Sequence, residues 1–91
     1  MKNKIKIEKE LSKIVEVEWL DINDVNKWMD KKEIEKAQPA VCFSIGYMYS
    51  NTDEVLKMVT SYSSDPEEPY GDVIIIPKGC IKHIRVIKNK Q

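Results

Sequence analysis

The chain has 91 residues, of which 42% are hydrophobic and 33% charged, a composition typical of one small globular domain and not of a disordered tail. Fifteen lysine and arginine residues balance fifteen aspartate and glutamate residues, which argues against a general polyanion binder, because such domains are usually strongly basic. No apolar run approaches the roughly 18 residues of a membrane span, and no secretory signal is recognisable. We therefore expect a domain that makes no contact with a membrane.

The charges are unevenly distributed along the chain. Residues 1–13 carry five lysines against two acids, and residues 78–91 carry five cations and no acid. The segment between them, 14–77, has thirteen acids against five lysines. If the two ends lie together, they form a basic patch that could bind nucleic acid. The alternative is two solvated termini kept soluble by lysine.

Residues 1–13 form a lysine-rich segment with weak periodicity, in which Ile5 and Ile7 are compatible with either an extra edge strand or a frayed end. The single domain that we predict spans residues 14–88. It begins with a strand, because Val15, Val17 and Trp19 alternate with glutamates, the period-two signal of a half-buried strand.

A helical insert is predicted for residues 23–38. Asp30 and Glu33 have the spacing of a capping box, which predicts a short helix that ends near Ala37 because a proline follows at position 39. Val25, Trp28 and Met29 are expected to form a preceding helical turn whose apolar side lies on the sheet.

After the insert the chain is rich in β-forming residues. Gly46, in the middle of the second strand, suggests a bulge or a sharp coil. A turn is expected at 51–53, an acidic loop at 63–71 and a tight turn at 77–80. The predicted strands after the insert cover residues 40–50, 54–62, 72–76 and 81–87.

This order of elements predicts a mainly β fold, with five short antiparallel strands and a tight turn between the last two. It is the plan of a small SH3-like or Sm-like barrel with a short helical insert. An open α+β sheet with one packed helix is the alternative.

Several short motifs are spaced along residues 15–87. They are Trp19-Leu20-Asp21, Trp28, the acidic helix from Glu33 to Ala37, Ile45-Gly46-Tyr47, Gly71-Asp72, Ile76-Pro77-Lys78, Ile81 and Ile84. Their combination resembles a group of small uncharacterised proteins of bacteriophages and prophages. The resemblance implies a phage or mobile-element origin, action in the cytoplasm of a bacterial host cell and self-association, but it transfers no functional residue.

Catalysis is not expected, since the chain is poor in groups that could perform it. His83 is the single histidine, and the neighbouring cations Lys82 and Arg85 would disfavour its charged form. Cys42 and Cys80 lack the spacing of a redox or zinc motif. No phosphate-binding, metalloprotease or nucleophile-elbow pattern occurs. The sequence therefore predicts neither a catalytic residue, nor a metal site, nor a cofactor.

The aromatic residues are better candidates for a functional site. Tyr47 and Tyr49 share one face of their strand, and beside Lys78 and Arg85 they would form a stacking and cationic platform for a nucleotide-like ligand. The same residue types occur in the core and at oligomer interfaces, and the sequence leaves these roles open. The candidate ligand-binding residues are Tyr47, Tyr49, Lys78, His83, Arg85 and Trp28.

The leading hypothesis is a non-catalytic binding module of phage type that self-associates. It would act in host takeover or against host defence by binding a host protein or a nucleotide-like ligand. One alternative is a small barrel that binds nucleic acid through its basic ends, with an affinity that falls steeply with salt. Another is a structural or assembly subunit of a virion.

Overall fold

The computed structural model describes residue 11 and residues 13–89, so the predicted edge strand at Ile5 and Ile7 lies outside the described residues. The domain boundary predicted at residue 14 falls one residue after the start of the first strand. The elements are β1 (Lys13–Asp21), α1 (Lys31–Lys36), β2 (Ala40–Asn51), β3 (Val55–Tyr62), β4 (Tyr70–Pro77), a one-turn 3-10 helix (Lys78–Cys80) and β5 (Ile81–Asn89).

The five strands form one antiparallel sheet in the order β4-β3-β2-β1-β5. β4 and β5 lie at opposite ends of this order although only the 3-10 helix joins them, so the sheet has to curl strongly. β1 is held between β2 and β5, and Lys13 lies opposite Asn89. No pairing between β4 and β5 closes the sheet within the described residues. The mainly β prediction is confirmed, and an unclosed sheet is compatible with both its barrel and its open form.

One face of the curled sheet, here called the inner face, carries the core. The fully buried side chains of this core cluster come from β1, β3 and β4. At the edge of the core, the Trp19 indole nitrogen donates a hydrogen bond to Ser44 Oγ at 3.0 Å. The buried residues of this cluster are Val15, Val17, Leu56, Met58 and Ile76, with Trp19, Met48, Ile74, Cys80, Ile81 and Ile84 packed around them. Leu11 and Val59 are also buried but do not belong to the cluster.

Gly46 is not the site of a bulge, and that prediction is wrong. The ladder between β1 and β2 runs through Gly46 in regular register, opposite Val15. The irregularity lies further on, between Met48 and Ser50 in the ladder with β3. A Cβ atom at position 46 would lie 3.0 Å from the carbonyl oxygen of Val59. Close approach of β3 therefore accounts for the glycine.

The connection between β1 and β2, residues 22–39, is here called the finger. Its capping box is confirmed: the Glu33 amide donates to Asp30 Oδ1 at 2.8 Å, and the Asp30 amide donates to Glu33 Oε1 at 3.1 Å. α1 buries none of its residues. Within the described part of the chain, no helix is long and apolar enough to span a membrane.

The helical turn predicted before α1 does not form, and Trp28 does not lie on the sheet. Residues 22–30 are irregular, and the Trp28 side chain is 99% exposed. At the start of this segment, the Ile22 amide donates a hydrogen bond to Asp21 Oδ1 at 2.8 Å. Asp and Asn side chains offer the backbone such alternatives to a helix.

Candidate functional site

Three large apolar side chains of β2 project from the outer face of the sheet. Val15 and Val17 of the core lie opposite Gly46 and Ser44, and cross-strand partners share a face. The intervening residues of β2 therefore point outwards, and their exposure agrees with this assignment. We call them the apolar strip: Val41, 50% exposed, Phe43, 62% exposed, and Ile45, 55% exposed.

Charged residues border the apolar strip on the β1 side. Glu18 lies opposite Phe43 and Glu16 lies opposite Ile45. Arg85 Nη2 lies 2.8 Å from Glu16 Oε1, and Lys82 Nζ lies 3.7 Å from Glu18 Oε2. Each acid beside the strip is thus neutralised by a cation of β5, and the strip has a polar border without a strong net charge.

Among the described residues, the other side of the apolar strip is an open sheet margin. β2 pairs with β3 only from Tyr47 to Asn51. The preceding half of the strand, residues 40–45, pairs with β1 on one side and with no other strand among the described residues. Open strand edges of this kind present backbone groups to a partner. The side chains of the strip are thus exposed, and no described strand covers this edge of residues 40–45.

The four tyrosines of the chain pack against one another on β2, β3 and β4. The rings of Tyr47 and Tyr62 meet edge to face, with centroids 5.3 Å apart, and those of Tyr49 and Tyr70 do the same at 5.1 Å. Tyr62 lies opposite Tyr70 in the β3–β4 ladder. Tyr47 is half-buried and Tyr49 is exposed. Edge-to-face pairs stabilise packing, so these rings serve at least partly to hold the three strands together.

The cations predicted to lie beside these tyrosines are engaged with other groups. Lys78 Nζ donates to Asn51 Oδ1 and to the Thr52 carbonyl, the latter at 3.0 Å, and its amide donates to the Glu54 carbonyl at 3.0 Å. Lys78 is therefore hydrogen-bonded to the turn between β2 and β3. Arg85 is held by Glu16. The nucleotide platform stays a prediction, and both of its cations already have partners within the protein.

The two remaining candidate residues lie apart from the tyrosines. His83 is exposed on β5 and lies opposite Glu18 in the register. Trp28 lies in the finger, whose two ends are joined by a hydrogen bond from Asn23 Nδ2 to the Gln38 carbonyl at 3.2 Å. A groove of about 410 Å³ at the base of the finger is lined mainly by apolar groups, including Leu20, Val25, Pro39 and Cys80.

The described residues contain no group of three or more histidine, cysteine, aspartate or glutamate side chains placed to hold a metal ion. No family model, no curated protein and no solved structure matches the chain. The site is therefore interpreted from its own geometry.

Sequence reasoning did not identify the apolar strip as a surface. A signal for it exists in the sequence, because the small residues Cys42, Ser44 and Gly46 alternate with the large ones. Small side chains suit a face that lies close to the rest of the core.

Proposed function

We propose that this protein is a non-catalytic binding module that engages another polypeptide through the apolar strip. The observation that carries the proposal is the exposure of Val41, Phe43 and Ile45 side by side at an open sheet margin. Contiguous exposed apolar surface on a small domain commonly marks an interaction site.

The surroundings of the strip support a protein as the partner. Protein interfaces combine an apolar centre with a polar rim, and here the paired residues Glu16–Arg85 and Glu18–Lys82 supply the rim on one side. The open edge of residues 40–45 adds backbone groups that an extended segment could pair with. A polypeptide can use both features at once.

An anionic ligand is less well supported by the same contacts. A nucleotide or nucleic acid would need free cations beside the aromatic rings, yet Arg85 is paired with Glu16 and Lys78 with the β2–β3 turn. These cations would have to leave their present partners before binding phosphate. This cost favours the protein-binding form of the proposal.

The biological setting in this proposal rests on the resemblance of residues 15–87 to phage and prophage proteins. It places the module in the cytoplasm of a bacterial host, where it would bind a host protein during takeover or against a defence system. A virion assembly subunit would use the same kind of surface, so the test must identify the partner.

A photo-crosslinking amino acid placed at position 43 tests the proposal directly. The matched control is position 75, because Ile75 is 60% exposed on β4. We expect position 43, but not position 75, to give a discrete adduct in bacterial cells, whose partner is identified by mass spectrometry. The purified partner should then bind Phe43→Ser at least about tenfold more weakly than the wild type. Equal adducts at both positions, or none at position 43, would contradict the proposal.

A further inference from the structure

We propose that the partner of the apolar strip is a second copy of this chain, whose finger lays Trp28 on the strip. This inference rests on the proposed function, because it names the polypeptide that the strip binds. The resulting dimer would be symmetric, with each finger seated on the strip of the other copy.

The finger is held together by polar contacts of its own. The Asn23–Gln38 hydrogen bond closes its base, and Lys27 Nζ approaches Glu33 Oε2 to 4.0 Å across its outer part. These internal contacts stabilise the finger although α1 buries no side chain. Its apolar groups are left exposed, since Ile22, Trp28 and Ile34 all lie in water.

Among the described residues, the finger and the strip are therefore two exposed apolar surfaces of one chain. Tryptophan is the residue most typical of the centre of a protein interface, where it inserts into an apolar surface. An indole that is 99% exposed has no role in packing within its own copy. Phe43, the most exposed residue of the strip, is the natural counterpart for an aromatic contact.

The position of the finger in the fold suits a reciprocal contact. Asp21 and Ala40 lie opposite each other where the finger joins the sheet, and the strip begins with Val41, the next residue. A two-fold axis beside this junction would place each finger against the strip of the other copy. Symmetric dimers are built in this way, with the same patch contributed by both copies.

The area available is compatible with a dimer of modest stability. A buried aromatic side chain removes roughly 150–250 Å² of surface from water, and the symmetric dimer would bury Trp28 and Phe43 of both copies. The aliphatic side chains of the finger and the strip extend this area towards the roughly 1,200 Å² at which specific interfaces begin.

Electrostatics do not oppose the contact. Residues 22–39 contain four lysines and four acids, and the acids beside the strip are paired with β5 cations. Two nearly neutral surfaces would meet, so the association should depend little on salt, in contrast to binding driven by phosphate contacts.

The first test is sedimentation equilibrium of the full chain over a range of concentrations. We expect a reversible dimer, and we expect Trp28→Ser and Phe43→Ser each to raise its dissociation constant at least about tenfold. Ile75→Ser, an equally exposed apolar position on β4, should leave it unchanged. Circular dichroism of each variant would show that the fold is retained. A wild type that is monomeric at every concentration would overturn the proposal, and so would variants that dimerise as it does.

The second test asks whether the finger contacts its own strip or that of the other copy. A chain with a photo-crosslinker at position 28 is mixed with 15N-labelled wild type, and adducts are read by mass spectrometry. We expect adducts to labelled residues 37–57, the tryptic peptide that contains the strip. Adducts to the strip of the same copy alone, or to other regions alone, would overturn the proposal.

The two proposals can fail separately. A monomeric protein that still gives a position-43 adduct with another protein would overturn the dimer and leave the binding module standing. A monomer without any adduct at position 43 would remove both.

Discussion

The two faces of β2 differ in a way that reverses the usual distribution of side chains. The inner face carries Cys42, Ser44 and Gly46, whereas the outer face carries Val41, Phe43 and Ile45. In most half-buried strands the larger apolar residues face the core. Here the core beneath β2 is filled from β1, β3 and β4, and β2 contributes small residues that let these strands approach.

The two faces contribute to different properties of the protein, the inner face to its folding stability and the outer face of β2 to binding. Large apolar residues that are buried contribute to the free energy of folding, while those that stay exposed contribute nothing comparable until a partner covers them. The inner face of the sheet is therefore where substitutions should unfold the domain, and the outer face of β2 is where they should affect binding.

The sharpest contrast is expected between Leu56→Ala and Phe43→Ala. Leu56 is completely buried, so truncation should leave a cavity and lower the free energy of unfolding by about 2–5 kcal/mol. Phe43→Ala removes an exposed ring and should cost less than about 1 kcal/mol. Urea unfolding followed by circular dichroism measures both. Similar losses would mean that the apolar strip is part of the core.

A smaller effect on the inner face is expected for Gly46→Ala. The added methyl group would meet the Val59 carbonyl oxygen at 3.0 Å and Met58 Cε at 3.4 Å, and such overpacking costs about 1–3 kcal/mol. Gly79→Ala is the matched control, because a Cβ atom at position 79 would have no neighbour within 4 Å. The midpoints of thermal unfolding of the two variants are compared. Equal midpoints would show that β3 can move away from the added methyl group without lowering the free energy of unfolding.

On the outer face, Glu16→Gln removes the ion pair with Arg85. Both side chains are partly exposed, and exposed pairs contribute about 0–1 kcal/mol. We expect a loss in this range that shrinks further in high salt, measured by urea unfolding at two salt concentrations. A loss as large as that of Gly46→Ala would contradict the assignment of the pair to a solvated border.

The smallest global effect is expected for Asp30→Ala in the finger. The change removes the capping box, which stabilises a helix by about 1 kcal/mol, but α1 buries nothing and its loss should leave the sheet folded. NMR chemical shifts should therefore report loss of helix at residues 31–36 while the unfolding midpoint stays nearly constant. A large fall of the midpoint would show that the finger contributes to the core.

Much of this fold could be predicted from local patterns. The alternation in β1, the Asp30–Glu33 capping box and the tight turn before β5 each depend on neighbouring residues, and each is found near its predicted position. Gly46 and Trp28 depend instead on distant parts of the chain. The glycine is explained by the approach of β3, and Trp28 is exposed because the irregular segment before α1 does not place its side chain on the sheet.

In the candidate site, too, some features depend on neighbouring residues and others on distant parts of the chain. The richness in β-forming residues predicted that Phe43 and Ile45 lie on a strand, but the choice of the buried face depends on the register with β1, which a single sequence does not specify. The sequence shows that Arg85 is available as a cation for a ligand. It does not show that Arg85 pairs with Glu16, 69 positions away in the sequence. Such long-range pairs decide which charges remain available to a ligand.

The position of β1 between β2 and β5 has a consequence for the order of folding. Pairing Lys13 with Asn89 joins the two ends of the described domain, and closing so long a loop carries a large entropic cost before any contact compensates for it. Topologies dominated by such distant pairings fold slowly. We expect the β3–β4 hairpin to form early and β5 to dock last, so that a newly made chain exposes the free edge of β1 until its final strand arrives.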